Sequence, residues 1–236
     1  YVSAKAGMQV VLLDSDQGKA EHGKAYSAGL LDKDIARGYS TEAKKQALLG
    51  LIAPTANYAD LAGCDLVIEA VFENVDIKAD VTRKTEAVVA ATTIFASNTS
   101  TLPITGLATA SRRPKSFIGL HFFSPVDKMP LVEVIVGKKT SNEAIARSLD
   151  YVQQIGKTPI VVNDSRGFFT SRVFSTYTSE GIRMLAEGIN PALIENAAKM
   201  VGLPVGPLAV TDEVTIELAW KIGKATAEAL GKNYPS

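Results

Sequence analysis

The chain has 236 residues, 46% hydrophobic and 21% charged, enough to bury a substantial core in one large domain or two unequal ones. Twenty-five basic side chains balance twenty-five acidic ones, which excludes a global field that would gather nucleic acid or an anionic membrane. Cys64 is the single cysteine, so no intrachain disulfide forms, and no apolar run approaches the roughly 18 residues that span a bilayer; an intracellular, cytoplasmic protein is the expectation.

In chain order, Tyr1 to Gly7 read as the last turns of a helix stopped by glycine, so the chain is expected to begin inside a fold. Residues 9–14 are a short apolar run ending in Asp14, as in a strand buried on both faces of a parallel sheet. Residues 17–37 and 41–51 then read as two helices separated by Gly38, Tyr39 and Ser40, an inserted helical hairpin. Such an arm beside a ligand cleft either clamps the ligand or has no ligand role. Further strands are expected at 65–73, 93–98, 117–121, 131–136 and 159–162, and helices at 78–90 and 142–155. Strands alternating with helices give an α/β fold with a mainly parallel sheet. After Val162 only helical patterns remain: 172–187 closed by Gly188, then a helix capped by Asn190, opened by Pro191 and ended at Gly202. The expected domains are therefore 1–163, α/β, and 164–236, a small all-helical domain. No repeat and no low-complexity segment interrupts them.

Chemistry concentrates at the strand ends. His121 closes the run Phe117, Ile118, Gly119, Leu120, where a parallel strand delivers it to the ligand-binding edge of a sheet. Alternation puts Glu133 on the face of Leu131 and Ile135, where an unpaired carboxylate is costly to desolvate and needs a partner. A histidine oriented by a carboxylate is a recurring acid/base device near neutral pH. The plainer reading makes His121 and Glu133 separate buried polar groups satisfied by backbone.

Asp14 stands where an acid accepts the adenine-ribose hydroxyls of NAD and disfavours the extra phosphate of NADP; it caps a helix or a turn equally well. The Gly-x-Gly-x-x-Gly turn that should precede such an acid is absent from the sequence. Glu73 and Lys78 bracket the turn after the second strand. Lys78 there either neutralises a phosphate or belongs to a solvated face. Ser97, Asn98, Thr99, Ser100 and Thr101 bring hydroxyls and an amide to the same edge, as caps or as holders of a substrate oxygen.

Taken together, Asp14, Glu73, the 97–100 cluster, His121-Phe122-Phe123-Ser124-Pro125, Leu131-Val132-Glu133 and Asn163-Asp164-Ser165-Arg166-Gly167-Phe168 occur in the order and spacing of one family. Over essentially its whole length the chain resembles the L-3-hydroxyacyl-CoA dehydrogenases, and looks most similar to the dehydrogenase segment of bacterial multifunctional fatty-acid oxidation enzymes. The resemblance implies an NAD-binding domain followed by a helical domain, with the acyl-CoA substrate between them. It implies a homodimer formed through the helical domain, or a place in a multifunctional chain. His121 then takes the proton of the 3-hydroxyl, Glu133 is its electrostatic partner, and Ser100 hydrogen-bonds the substrate oxygen. Asp14, Glu73, Lys78 and Asn98 fall at cofactor-contacting positions, Arg37 near the CoA phosphates, and no residue is assigned to a metal.

Two departures accompany the likeness: many members carry asparagine where this chain has Ser171, which helps position the substrate carbonyl, and where it has Ser124. By the same likeness the chain is truncated, lacking the glycine turn in front and ending after Gly231 to Ser236 with a shorter helical domain. Two alternatives remain open, a non-catalytic structural protein on the same scaffold and an NAD-dependent dehydrogenase of another hydroxy acid. A CoA clamp would make the hairpin basic toward the cleft, and Lys24, Lys33 and Arg37 permit that.

Overall fold

The computed structural model describes residues 1–214 and residues 216, 217, 220, 223, 224, 227 and 231. The expectation about the end of the chain, at 232–236, lies outside the described residues. Two compact units emerge, Tyr1–Phe168 and Phe169–Ser236.

The first unit runs α1 (Val2–Lys5), β1 (Val10–Leu13), α2 (Gln17–Ala36), α3 (Glu42–Gly50), β2 (Ile52–Thr55), β3 (Leu66–Glu69), α4 (Val75–Glu86) and β4 (Ile94–Ser97). It continues with α5 (Ile104–Leu107), β5 (Phe117–Phe122), β6 (Leu131–Val136), α6 (Asn142–Gln154) and β7 (Thr158–Asn163). Short polar residues start the helices by accepting orphan main-chain N–H groups: Asp16 from Lys19 for α2, Asn74 from Asp76 and Ile77 for α4, Ser141 from Ala144 for α6. The helical pair expected at 17–51 is present and forms the crossover between β1 and β2, which pair in parallel. The sequence reading passed over β2 because it is four residues long and contains Pro54, which lacks a ladder donor.

Strands β3 to β7 form one sheet in sequence order. Pairing is parallel throughout except between β5 and β6, which run antiparallel. Strand alternation sorts the side chains into two cores. Ile94, Ala96, Ile118, Leu120, Val132 and Val134 pack with Ala144 and Val152 of α6. Phe95, Phe117 and Ile135 pack on the opposite face with Ile104, Leu107 and Phe168. Register puts Glu69 beside Ser97, Ser97 beside Gly119, and His121 beside Glu133, so all the polar groups of interest lie on this second face. Gly119 sits beneath them without room for a side chain: a Cβ there would meet Ile104 Cδ1 at 2.7 Å and Ile135 Cβ at 2.9 Å.

The units divide after Phe168, beyond the expected boundary at 163, because residues 164–168 are tied back to the first unit. The Asp164 carboxylate accepts the N–H groups of Ile104 and Thr105, both at 2.8 Å, and so caps α5, which has no capping side chain of its own. Phe168 is 2% exposed in the second core and holds a left-handed backbone, φ 47°, uncommon for a residue with a side chain.

The second unit comprises α7 (Thr170–Ala186), α8 (Pro191–Met200) and α9 (Pro207–Val214) among the described residues. The Asn190 side chain caps α8 ahead of Pro191, and Gly202 follows it at φ 95°, as the sequence signals require. Helix α9, absent from the sequence reading, is capped from a distance: Glu195 Oε1 accepts the N–H groups of Leu208 and Ala209 at 2.8 and 3.3 Å.

Candidate active site

Opposed residues of an antiparallel pair share a face, so the β5–β6 register brings the side chains of His121 and Glu133 together. Nδ1 of His121 lies 2.6 Å from Oε2 of Glu133. Glu133 is fully buried and His121 is 8% exposed. Aromatic rings wall the imidazole, with the Phe123 centroid at 4.5 Å and that of Phe168 at 6.1 Å. With Glu133 ionised, Nδ1–H donates to it, and Nε2 is left as the ring nitrogen that can take up a proton. The two side chains thus meet each other directly. Asn98 fixes the strand end next to the imidazole: its Oδ1 accepts the Phe122 N–H at 3.0 Å, while its own N–H reaches Glu69 O at 2.7 Å.

Glu73 gathers the 97–101 cluster. Its Oε1 accepts from Thr99 Oγ1 at 2.5 Å, from the N–H groups of Ser100 and Thr101 at 3.1 and 3.0 Å, and from Thr101 Oγ1 at 3.1 Å. Ser100 Oγ lies 3.5 Å away. Burial pushes the Glu73 carboxyl up, but hydrogen bonds from Thr99 and Thr101 and the charge of Lys78 outweigh that and hold it below its ordinary value. Thr99 Oγ1 also accepts the Leu102 N–H at 3.0 Å, so the cluster forms a hydroxyl-capped turn that presents Ser100 at the exposed edge.

Lys78 differs from the phosphate-facing or solvated lysine that the sequence suggests. It is 1% exposed, and its Nζ lies 2.8 Å from Glu69 Oε1 and 3.5 Å from Glu73 Oε2. The physical reason is the position of Glu69, a buried carboxylate at the end of β3 that needs a counter-charge and takes the nearest one. Sequence reasoning gave Glu69 no role. The signal was available, since an acid inside an apolar strand run demands a partner just as Glu133 does.

Asp14 is exposed at the end of β1, where its Oδ1 accepts the Ser15 N–H at 2.6 Å. As an acceptor-only group at a strand end it fits the two hydroxyls of an adenine ribose. Arg37 is exposed at the C-terminal cap of α2, and Lys33 is exposed in that helix's last turn; Lys24 is half-buried. Neither Asp14 nor Arg37 hydrogen-bonds to the His121 or Glu73 groups. Ser171 lies half-buried in the first turn of α7, in the second unit. Among the described residues no group of three His, Cys, Asp or Glu side chains is arranged to hold a metal, and no helix is long and apolar enough to cross a membrane.

The chain is similar to known proteins in sequence and in fold. Residues 1–165 match the 3-hydroxyacyl-CoA dehydrogenase NAD binding domain, and residues 167–236 the 3-hydroxyacyl-CoA dehydrogenase C-terminal domain. The chain is 40% identical over 232 residues to the fatty acid oxidation complex subunit alpha of Shewanella amazonensis, covering 98% of this chain and 33% of that protein. It thus spans about a third of the length of the curated relatives it matches. Among solved structures it is similar to the (S)-3-hydroxybutyryl-CoA dehydrogenase PaaH1 of Ralstonia eutropha, with 35% identity, TM-score 0.92, and 96% and 81% of the two chains covered. A 3-hydroxybutyryl-CoA dehydrogenase of Escherichia coli is similar at 30% identity and TM-score 0.92, over 97% of this chain and 49% of that one. With an NAD-binding Rossmann-like unit and a helical unit each matched over its length, the chain belongs to the 3-hydroxyacyl-CoA dehydrogenase family.

Proposed function

We propose that this chain is the segment of a fatty-acid oxidation protein that oxidises an L-3-hydroxyacyl-CoA to the 3-oxoacyl-CoA with NAD, His121 acting as the base. The contact of 2.6 Å between His121 Nδ1 and Glu133 Oε2 carries this reading. NAD, when bound, supplies the acceptor for the hydride that leaves C3. His121 Nε2 takes the proton of the 3-hydroxyl as that bond breaks, and returns it in the reverse direction. The imidazolium so formed lies against the Glu133 carboxylate, in a buried setting where the attraction is little screened. Ser100 Oγ donates to the substrate oxygen, and Ser171 steadies the thioester carbonyl. Asp14 accepts the ribose hydroxyls, while Glu73 and Asn98 line the same edge. Lys78 serves that edge by fixing Glu73, and Arg37 meets the phosphates of CoA. The assembly is a homodimer through the helical unit or a place within a larger multifunctional chain.

The test is NADH formation from 3-hydroxybutyryl-CoA by the intact protein and by its His121→Gln variant. Turnover is expected to fall at least about 10²-fold. Equal rates in the two proteins would remove His121 from the mechanism. An inactive parent would favour the non-catalytic protein on the same scaffold, and activity confined to a hydroxy acid without CoA would favour the other dehydrogenase.

A further inference from the structure

The buried charges behind the Ser100 turn form a chain of contacts that the reaction itself does not require. Glu69 is 4% exposed and both of its oxygens are engaged. Oε2 accepts from Ser97 Oγ at 2.7 Å, and Oε1 accepts from the Val71 N–H at 2.7 Å and from Lys78 Nζ at 2.8 Å. Lys78 Nζ also reaches Val71 O at 3.4 Å and Glu73 Oε2 at 3.5 Å. Glu73 Oε1 in turn takes the N–H groups of Ser100 and Thr101. One ammonium thus stands between two carboxylates, of which the inner one is fixed by the sheet and the outer one shapes a turn.

A buried ion pair seldom adds stability over apolar residues of the same volume, and fixing geometry is the role left to it that can be tested. Glu69 is anchored from three sides, on β3, on β4 through Ser97, and on α4 through Lys78. Glu73 alone is half open, with its side chain 35% exposed: its Oε1 is held by the turn, and its Oε2 faces the Lys78 ammonium at 3.5 Å, which restrains the carboxylate from behind.

We propose that Glu69 is a positioning residue which, through Lys78, fixes Glu73 and with it the 99–101 turn that carries Ser100. The catalytic consequence rests on the reading of Ser100 as the hydroxyl that meets the substrate oxygen; the hold on the turn does not. Replacing Glu69 by glutamine keeps the hydrogen-bonding shape and removes the charge. Lys78 then loses its charged anchor on the sheet, Glu73 is no longer restrained from behind, and the turn loosens.

Two measurements on the intact protein test this. In Glu69→Gln, amide hydrogen exchange at Ser100 and Thr101 is expected to speed up at least about tenfold, the worth of a charge-assisted hydrogen bond, with the amides of β5 and β6 unchanged. The double variant Glu69→Gln/Lys78→Met removes both buried charges at once; it protects the test if the single variant folds poorly, and is expected to give the same local loosening. In parallel, kcat/KM for 3-hydroxybutyryl-CoA is compared for Ser100→Ala in the native and Glu69→Gln backgrounds, where the Ser100→Ala penalty is expected to shrink at least about threefold because the two act as one unit. Unchanged exchange in the turn overturns the proposal, and so does exchange that rises equally across the sheet, which would make Glu69 a residue of stability alone. Additive kinetic effects remove its bearing on Ser100. A loosened turn with Ser100→Ala silent in both backgrounds keeps the relay and overturns the Ser100 reading instead.

Discussion

Substituting Glu133 by glutamine tests the acid/base pair at its hidden half. The two side chains are nearly isosteric, and the site is fully buried, so solvent cannot replace what is lost. In the native protein the imidazole at 2.6 Å faces a carboxylate, and a hydrogen bond to a charged group is worth about 1.5–3 kcal/mol. That stabilisation acts on the imidazolium, the form that develops as the hydroxyl proton arrives. Its loss raises the barrier by the same amount, a fall in kcat/KM of about 10- to 150-fold. Glutamine can also present its amide N–H₂ to Nδ1. The ring then carries its proton on Nε2, the wrong tautomer for a base, and the fall deepens toward about 10⁴-fold. The assay is NADH formation at limiting 3-hydroxybutyryl-CoA, with thermal melting and NAD affinity measured on the same preparations. A variant that folds, binds NAD and retains kcat/KM within about twofold would refute the argument, since no transition-state charge would then rest on residue 133.

Two other outcomes bear on the scaffold. Gly119→Ala places a methyl group 2.7 Å from Ile104 Cδ1 and 2.9 Å from Ile135 Cβ, so it is expected to destabilise by about 1–3 kcal/mol, with partial recovery when Ile104 is shortened to valine; urea midpoints read both. Because Glu73 is held below its ordinary value of 4.5 when folded, its stabilising contribution is fully present above that value and is lost as pH falls through the depressed folded value. The stability gap between the native protein and Glu73→Gln, followed by denaturant unfolding, should therefore hold constant at neutral pH and close in acid; a gap that widened in acid would contradict the hydrogen bonding seen at Oε1.

Much of this was legible in the chain itself. Apolar runs ending in Asp14, Glu73, Asn98 and His121 marked strands and the edge where they meet a ligand, because buried strands must be continuously apolar and functional groups collect where they stop. The pairing of Glu133 followed from the cost of burying an unmatched carboxylate. What escaped was decided by tertiary contacts. A four-residue strand containing Pro54 leaves too little periodicity to detect. Lys78 sits five positions from Glu73 and nine from Glu69, and only the fold turns its side chain inward. The left-handed backbone of Phe168 leaves no trace in the sequence, since its neighbours in the core impose it.

The two faces of the sheet carry a bookkeeping consequence that reaches beyond the site. Across β3, β4, β5 and β6 every even-numbered side chain in the packing clusters turns toward α6, and every odd-numbered one toward the imidazole side. Whether a position is odd or even thus separates two kinds of constraint that interleave along the same four ribbons. Evolution can redraw the first set for volume alone, as long as α6 still fits. The second set must satisfy charge, hydrogen bonding and shape at once, and there a shift of one place along any ribbon would exchange the chemistry for grease.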